Sequence, residues 1–168
     1  EPLSDLPERP IAHGDLRLEN VVALRTADGA LRVVLLDAGS DRLRAGPRVM
    51  NGRSELFSTA ASAKTAAPEQ IRGIGSDPKS DVYSFGAMAF ELLTGKPPFG
   101  DGTALESAFG HLTREPPRAS SVAPRGFVPP EMDDILAKLL DKDPAGRPPD
   151  AQSVLTLIDV SQYAPSIM

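Results

Sequence analysis

Apolar and polar positions alternate between two periods along the chain. "VVAL" (21–24) and "LRVVLLD" (31–37) are short β-branched runs joined by "RTADGA", whose Asp28-Gly29 pair marks a tight turn. They predict a β-hairpin. Beyond residue 78 the period lengthens to that of a helix. "KSDVYSFGAMAFELLTG" (79–95) sets Val82, Phe85, Ala89, Leu92 and Leu93 on one core stripe, with Ser80 or Asp81 as N-cap and Gly95 as the stop before "KPPF". Further helices are predicted over 103–114, over 130–143 with Pro130 near its start, and over 150–160 with Asp150 as cap. Between hairpin and helices, residues 38–66 are rich in Gly, Ser, Ala and Arg and show no period. A loop of that length inside a domain is usually functional. The proline-rich opening "EPLSDLPERP" reads as an extended segment.

Composition narrows the class. The chain has 168 residues, 40% hydrophobic and 24% charged, which suits one globular domain or a large part of one. The net charge is −5 with no basic stripe, so no nucleic-acid partner is expected. No apolar run approaches the roughly 20 residues of a membrane span, and no signal-peptide pattern opens the chain. The absence of Cys excludes disulfides, thiolate metal sites and thiol nucleophiles. These features give a cytoplasmic expectation. The first residue is Glu1, not Met, and the chain is read as a piece of a longer protein.

Candidate chemistry gathers in "AHGDLRLENVV" (12–22), just before the hairpin. Asp15 is suited to accept or orient a hydroxyl proton. Arg17 is suited to neutralise a transferring phosphoryl group. The oxygens of Asn20, and of Asp37 at the far end of the hairpin, are hard ligands for Mg²⁺. Phosphoryl transfer asks for such a set, because its catalysis is mostly positioning and charge neutralisation. Plainer readings stand beside each: His13 as a satisfied core histidine, Asp15 as a turn-forming residue, Asp81 as only a helix cap, Arg147 as a solvated surface charge.

His13-Gly14-Asp15-Leu16-Arg17-Leu18-Glu19-Asn20 followed by Asp37-Ala38-Gly39 resembles the H-R-D-L-x-x-x-N and D-F-G motifs of protein kinases. It also resembles aminoglycoside-type small-molecule phosphotransferases, which often carry H-G-D. Three later segments favour the first family. Ala67-Pro68-Glu69 resembles the A-P-E that closes an activation segment, "SDVYSFGAMAFELLTGKPPF" resembles the family's central helix, and "LLDKDPAGRPPDA" resembles the segment with its buried Arg. Together these motifs reach from His13 to about Ile158. "RLEN" and Ser62 lean towards serine/threonine kinases, and the Ala- and Pro-rich style towards a bacterial relative.

The resemblance implies an α+β fold, mostly α-helical: the C-terminal lobe of the protein-kinase fold with a short β-hairpin after the catalytic loop. Its implied organisation is an extended segment (1–12), the lobe (13–160) with catalytic loop 13–20 and activation segment 37–69, and a tail (161–168). The implied cofactors are ATP and Mg²⁺, and the implied partner is a protein with a Ser or Thr acceptor. Asp15 would be the catalytic base, Arg17 would bridge γ-phosphate and acceptor hydroxyl where the family usually has Lys, and Asn20 and Asp37 would hold Mg²⁺. Glu19 would meet the ATP ribose through its backbone, and Val22 would floor the adenine pocket. Ser62 would position the acceptor. Glu69 and Arg147 would form a buried ion pair, Asp81 would accept backbone N–H bonds from the catalytic loop, and His13 would be a packing residue. Ser58, with Thr59 and Ser54 as neighbours, is the candidate phosphosite.

Besides Arg17, four positions depart from the pattern. Gly14 replaces the Arg that grips an activation-loop phosphate, so a phosphate on Ser58 would lack that bidentate partner. Ala38 replaces Phe, Thr65 a frequent Tyr and Leu18 a frequent Pro. Nothing before His13 resembles a Gly-rich phosphate loop, the strand Lys or the helix Glu of the N-lobe, so that lobe is a missing partner. The 168-residue chain alone is expected to be inactive and to expose apolar surface around Val22 and Leu36. A pseudokinase scaffold binding proteins through the helix at 103–114 is the alternative reading.

Overall fold

The computed structural model describes residues 12–38, 49–50, 53–54 and 60–158. It is a mostly helical α+β arrangement, as the sequence predicts. Strands β1 (Val21–Arg25) and β2 (Leu31–Leu35) pair antiparallel with Val21 opposite Leu35 and Arg25 opposite Leu31. The turn closes where Asp28-Gly29 places it: Thr26 N donates to Ala30 O at 2.9 Å and Gly29 N to Thr26 O at 2.9 Å. The stretch predicted to lack structure holds a two-residue ladder, β3 (Val49–Met50) with β4 (Arg53–Ser54), and a single turn, α1 (Ala60–Ala63). Elements of two to four residues span only about one repeat of their period and leave no pattern to read. Helix α2 (Pro68–Ile71) follows.

The longest helix is α3 (Pro78–Thr94), stopped at Gly95 as predicted. Its N-cap corrects the sequence reading. Asp77, not Ser80 or Asp81, caps the helix: its Oδ1 accepts from Ser80 N at 2.9 Å, and Pro78 occupies the first turn. The predicted core stripe is also corrected. Leu92 is 68% exposed and Phe85 faces outward, while Val82, Tyr83, Ala87, Met88 and Phe90 are buried. The reason is close packing from several sides, which small residues permit. At Gly86 an added Cβ would lie 2.7 Å from Leu139 Cβ, closer than real contacts allow.

Around α3 stand α4 (Ala104–Thr113), α5 (Ala119–Val122), α6 (Pro130–Leu139) and α7 (Ala151–Leu157). α5 was not predicted, and α6 and α7 end before the predicted 143 and 160. The core forms in patches on α3: Phe90 with Ala119, Ala123, Val128 and Leu136; Val82 with Ile135, Leu139 and Val154; Tyr83 and Ala87 with Ala67 and Leu140. No helix among the described residues is long and apolar enough to cross a membrane.

One buried ion pair fastens these parts. Arg147 Nη1 lies 2.7 Å from Glu69 Oε1, and Nη2 donates to Oε2 at 3.0 Å. Ser80 Oγ donates to Glu69 Oε1 at 2.7 Å. Arg147 also donates to Asp141 O at 2.7 Å, Lys79 O at 3.0 Å and Lys142 O at 3.3 Å. Burial pushes the Glu69 carboxyl up, but the bonds from Arg147 and Ser80 outweigh it and hold the group below its ordinary range. A carboxyl with a depressed native pKa contributes stability that is complete above its unfolded pKa, about 4.3. That stability is lost as pH falls through the native value.

The buried pair can be tested by substitution. Arg147→Met leaves Glu69 buried without its partner and should cost about 3–5 kcal/mol in urea unfolding at pH 7. Glu69→Leu combined with Arg147→Met should recover under half of that, because three carbonyls lose their donor; full recovery would show that those carbonyl bonds contribute little. Below about pH 4 the acid loss of stability should shrink in Arg147→Met. Separately, Leu31, Val33 and Leu35 share one face of the hairpin and are 51% to 67% exposed. The 168-residue chain should therefore self-associate in sedimentation, and Leu31→Ser with Val33→Thr and Leu35→Ser should return it to monomer. A wild-type chain that runs as a monomer contradicts this.

Candidate active site

The loop from His13 to Asn20 is held by backbone bonds from three directions. Asp81, in the first turn of α3, accepts from His13 N at 2.6 Å and from Gly14 N at 2.9 Å. Burial pushes the Asp81 carboxyl above its ordinary value, despite the opposing pull of those two N–H groups. The His13 ring is buried, with Nε2 2.8 Å from Leu36 O. A carbonyl can only accept, so Nε2 carries the proton, and Nδ1 is left to accept from Asp15 N at 3.4 Å. Gln70 Nε2 donates to Gly14 O at 2.7 Å. Gly14 itself has φ 82°, a conformation that glycine adopts without strain.

This frame brings together three of the predicted residues. Asn20, buried, donates from Nδ2 to Asp15 O at 2.8 Å and approaches Asp15 Oδ2 at 3.5 Å. Arg17 Nε lies 3.3 Å from Asp15 Oδ2, with both side chains partly open to solvent. Asp15 is thus held at its backbone and its carboxylate while keeping an accessible face. A 3-10 turn, Leu18–Asn20, leads from the loop into β1. Asp37 lies two residues beyond β2, and its neighbour Leu36 is bonded to the loop. Leu36 N donates to Asn20 O at 2.9 Å, and the next residue, Asp37, turns out of the ladder with φ 58°. That left-handed backbone is uncommon for a residue with a side chain, though Asp tolerates it better than most.

The remaining predicted residues are spread more widely. Glu19 is exposed on the 3-10 turn, and Val22 is half-buried on β1. Ser62 is half-buried on α1. Ser58 and Thr59 lie outside the described residues. Among the described residues no group of three His, Cys, Asp or Glu side chains is arranged to hold a metal alone. Asn20 and Asp37 offer a smaller set. With Nδ2 committed to Asp15 O, Asn20 has Oδ1 as its acceptor, and Asp37 adds a carboxylate. Two hard oxygens suit Mg²⁺, which is usually bound by one or two protein carboxylates and completes its shell with water and phosphate.

Sequence reasoning gave no role to His111, which the structure buries at 1% exposure. Its Nδ1 lies 2.9 Å from the Tyr83 hydroxyl, and its Nε2 lies 2.9 Å from Lys64 O. A single imidazole on an amphipathic helix carries no local signal that separates it from a surface residue.

The sequence profile of the family described as "Protein kinase domain" matches residues 3–157. The serine/threonine-protein kinase PknL of Mycobacterium tuberculosis is 38% identical over 144 residues, 84% of this chain and 33% of that protein. The serine/threonine-protein kinase pkn3 of Myxococcus xanthus is 31% identical over 155 residues, covering 90% of this chain and 28% of that protein. PkaA of Streptomyces coelicolor, also a serine/threonine-protein kinase, is 34% identical over 138 residues, 82% of this chain and 23% of its own length. The chain therefore spans a third or less of these curated relatives. With an Asp15–Asn20 loop anchored on the central helix and a family match along nearly its whole length, the chain belongs to the Hanks-type protein kinases and groups with bacterial members.

Proposed function

We propose that this chain is the C-terminal lobe of a serine/threonine protein kinase that transfers the γ-phosphoryl group of ATP to Ser or Thr hydroxyls of proteins. The observation that carries the reading is the contact set Asp15–Asn20–Arg17 on a loop pinned by Asp81. Asp15 accepts the proton of the acceptor hydroxyl as it attacks. Arg17 adds positive charge beside the path of the phosphoryl group, where it offsets charge developing on the oxygens. Asn20 and Asp37 would hold Mg²⁺ through their side-chain oxygens, and the ion would supply positive charge to neutralise the phosphates of ATP. Glu19 presents its backbone to the ribose, Val22 floors the adenine pocket, and Ser62 orients the acceptor.

A second reading, a protein-binding scaffold, is favoured by one feature. Helix α4 presents Leu105 and Phe109 one turn apart, 78% and 60% exposed. Scattered apolar residues are common on surfaces, whereas the Asp15 contacts serve a specific chemistry, so the kinase reading leads.

The two are separated by phosphate transfer from labelled ATP to a Ser/Thr peptide library. The full-length protein encoded by the gene should transfer phosphate, and Asp15→Asn should slow it about 10²- to 10⁴-fold, the usual contribution of a general base. The 168-residue chain alone should transfer none. Transfer by the Asp15→Asn protein at the wild-type rate would refute the assignment of the base.

A further inference from the structure

Lys64 sits two residues after Ser62, in the turn between α1 and α2. It is tied to α4 at both ends of that helix. Its ammonium donates to Asp101 Oδ1 at 2.8 Å, just before the Thr103 cap, and its carbonyl meets His111 Nε2 at 2.9 Å near the helix C-terminus. Ala66 and Ile71 pack with Ala108 and Leu112 between these ties. The two ties differ in weight. The Asp101 pair is solvent-exposed, and such pairs contribute little. The His111 bond is part-buried with the imidazole itself enclosed, so leaving it unmade strands a largely desolvated group.

The protons in this cluster have one consistent order. Lys64 O can only accept, so His111 Nε2 donates and Nδ1 accepts. Tyr83 therefore donates its hydroxyl proton to Nδ1, and its oxygen accepts from Lys142 Nζ at 3.1 Å. Lys142 also lies 4.2 Å from the centroid of the Phe99 ring, and that ring meets His111 edge-on at 4.7 Å. Burial drives the His111 imidazole down to about 3 and Lys142 down to about 8. His111 is thus neutral throughout the physiological range, in a single tautomer, with both ring nitrogens used.

We propose that His111 is a positioning residue for the acceptor: by holding the Lys64 carbonyl on α4 it fixes the Ser62–Ala67 segment against which the Ser/Thr substrate docks. The docking role rests on the kinase reading of Ser62. The latch itself rests on geometry alone. Two substitutions separate the bonds. His111→Asn keeps an acceptor near the Nδ1 position for Tyr83 but does not reach Lys64 O. His111→Gln extends far enough to donate to Lys64 O.

Hydrogen exchange by mass spectrometry on the 168-residue chain tests the latch. Amides in 62–67 should exchange roughly tenfold faster in His111→Asn and near the wild-type rate in His111→Gln, with the α6 and α7 amides unchanged in both. Equal exchange at 62–67 in wild type and His111→Asn, or faster exchange everywhere, overturns it. Steady-state kinetics on the full-length protein with the Ser/Thr peptide library test the docking role. His111→Asn should raise KM for peptide about tenfold while kcat and KM for ATP stay within about twofold, and His111→Gln should restore KM. A fall in kcat with peptide KM unchanged overturns the role. If the wild-type full-length protein phosphorylates no peptide, the kinase reading and the docking role fall together, and the exchange rates alone decide the latch.

Discussion

The buried pair between Glu69 and Arg147 is the constraint on which the other contacts depend. Arg147 comes from the segment after α6, Glu69 from α2, and Ser80 from the first turn of α3, and all three meet at one carboxylate. The three segments lie as many as 78 residues apart in sequence, so their convergence closes long loops at an entropic cost. Such a pair contributes only if its desolvation is offset, and here it is. The guanidinium is fully enclosed, it spends its remaining donors on three carbonyls, and its Cζ lies 4.7 Å from the centroid of the Tyr83 ring. Once α2 is fixed in this way, Gln70 one residue later is placed to donate to Gly14 O, and the clamp extends to the candidate catalytic loop.

That extension explains how a short loop of polar residues stays ordered. Asp81 follows Ser80 on the same turn of α3, so the turn that completes the Glu69 cluster also presents the carboxylate that binds His13 N and Gly14 N. On the opposite side, His13 Nε2 donates to Leu36 O and Leu36 N donates to Asn20 O, which fastens the loop to the end of β2. Position is therefore set mainly by backbone groups. Asp15 and Arg17 need supply little of that positioning, and their side chains keep a face open to solvent.

Much of this was legible in the sequence, for identifiable reasons. Asp28-Gly29 between two β-branched runs specifies a hairpin, because few other turns suit those residues. Asp15 and Asn20 five residues apart before a strand are polar groups with no amphipathic period to explain them, and the structure joins them through Asn20 Nδ2 and Asp15 O. The N-cap of α3 was misread because Asp77, Ser80 and Asp81 are all capping types; the choice was made by tertiary partners that occupy Ser80 and Asp81. The outward turn of Phe85 and Leu92 had the same origin. A helix packed on several sides buries small residues such as Ser84 and Gly86, and a hydrophobicity pattern does not weigh those. His111 was illegible because its partners, Tyr83 and Lys64, are 28 and 47 residues away.

Gly14 and Asp37 show where the loop carries strain and where it avoids it. Both have left-handed backbone, at φ 82° and φ 58°. For glycine this costs nothing, whereas a residue with a Cβ loses roughly 1–2 kcal/mol. An Arg at position 14 would have to offset that cost, and a phosphate bound by its side chain is one means of doing so. With Gly14 the loop reaches its bonded geometry at Asp81 and Gln70 with no such aid. Among the described residues, Asp37 is the one residue with a side chain that keeps left-handed backbone, a conformation Asp tolerates better than most.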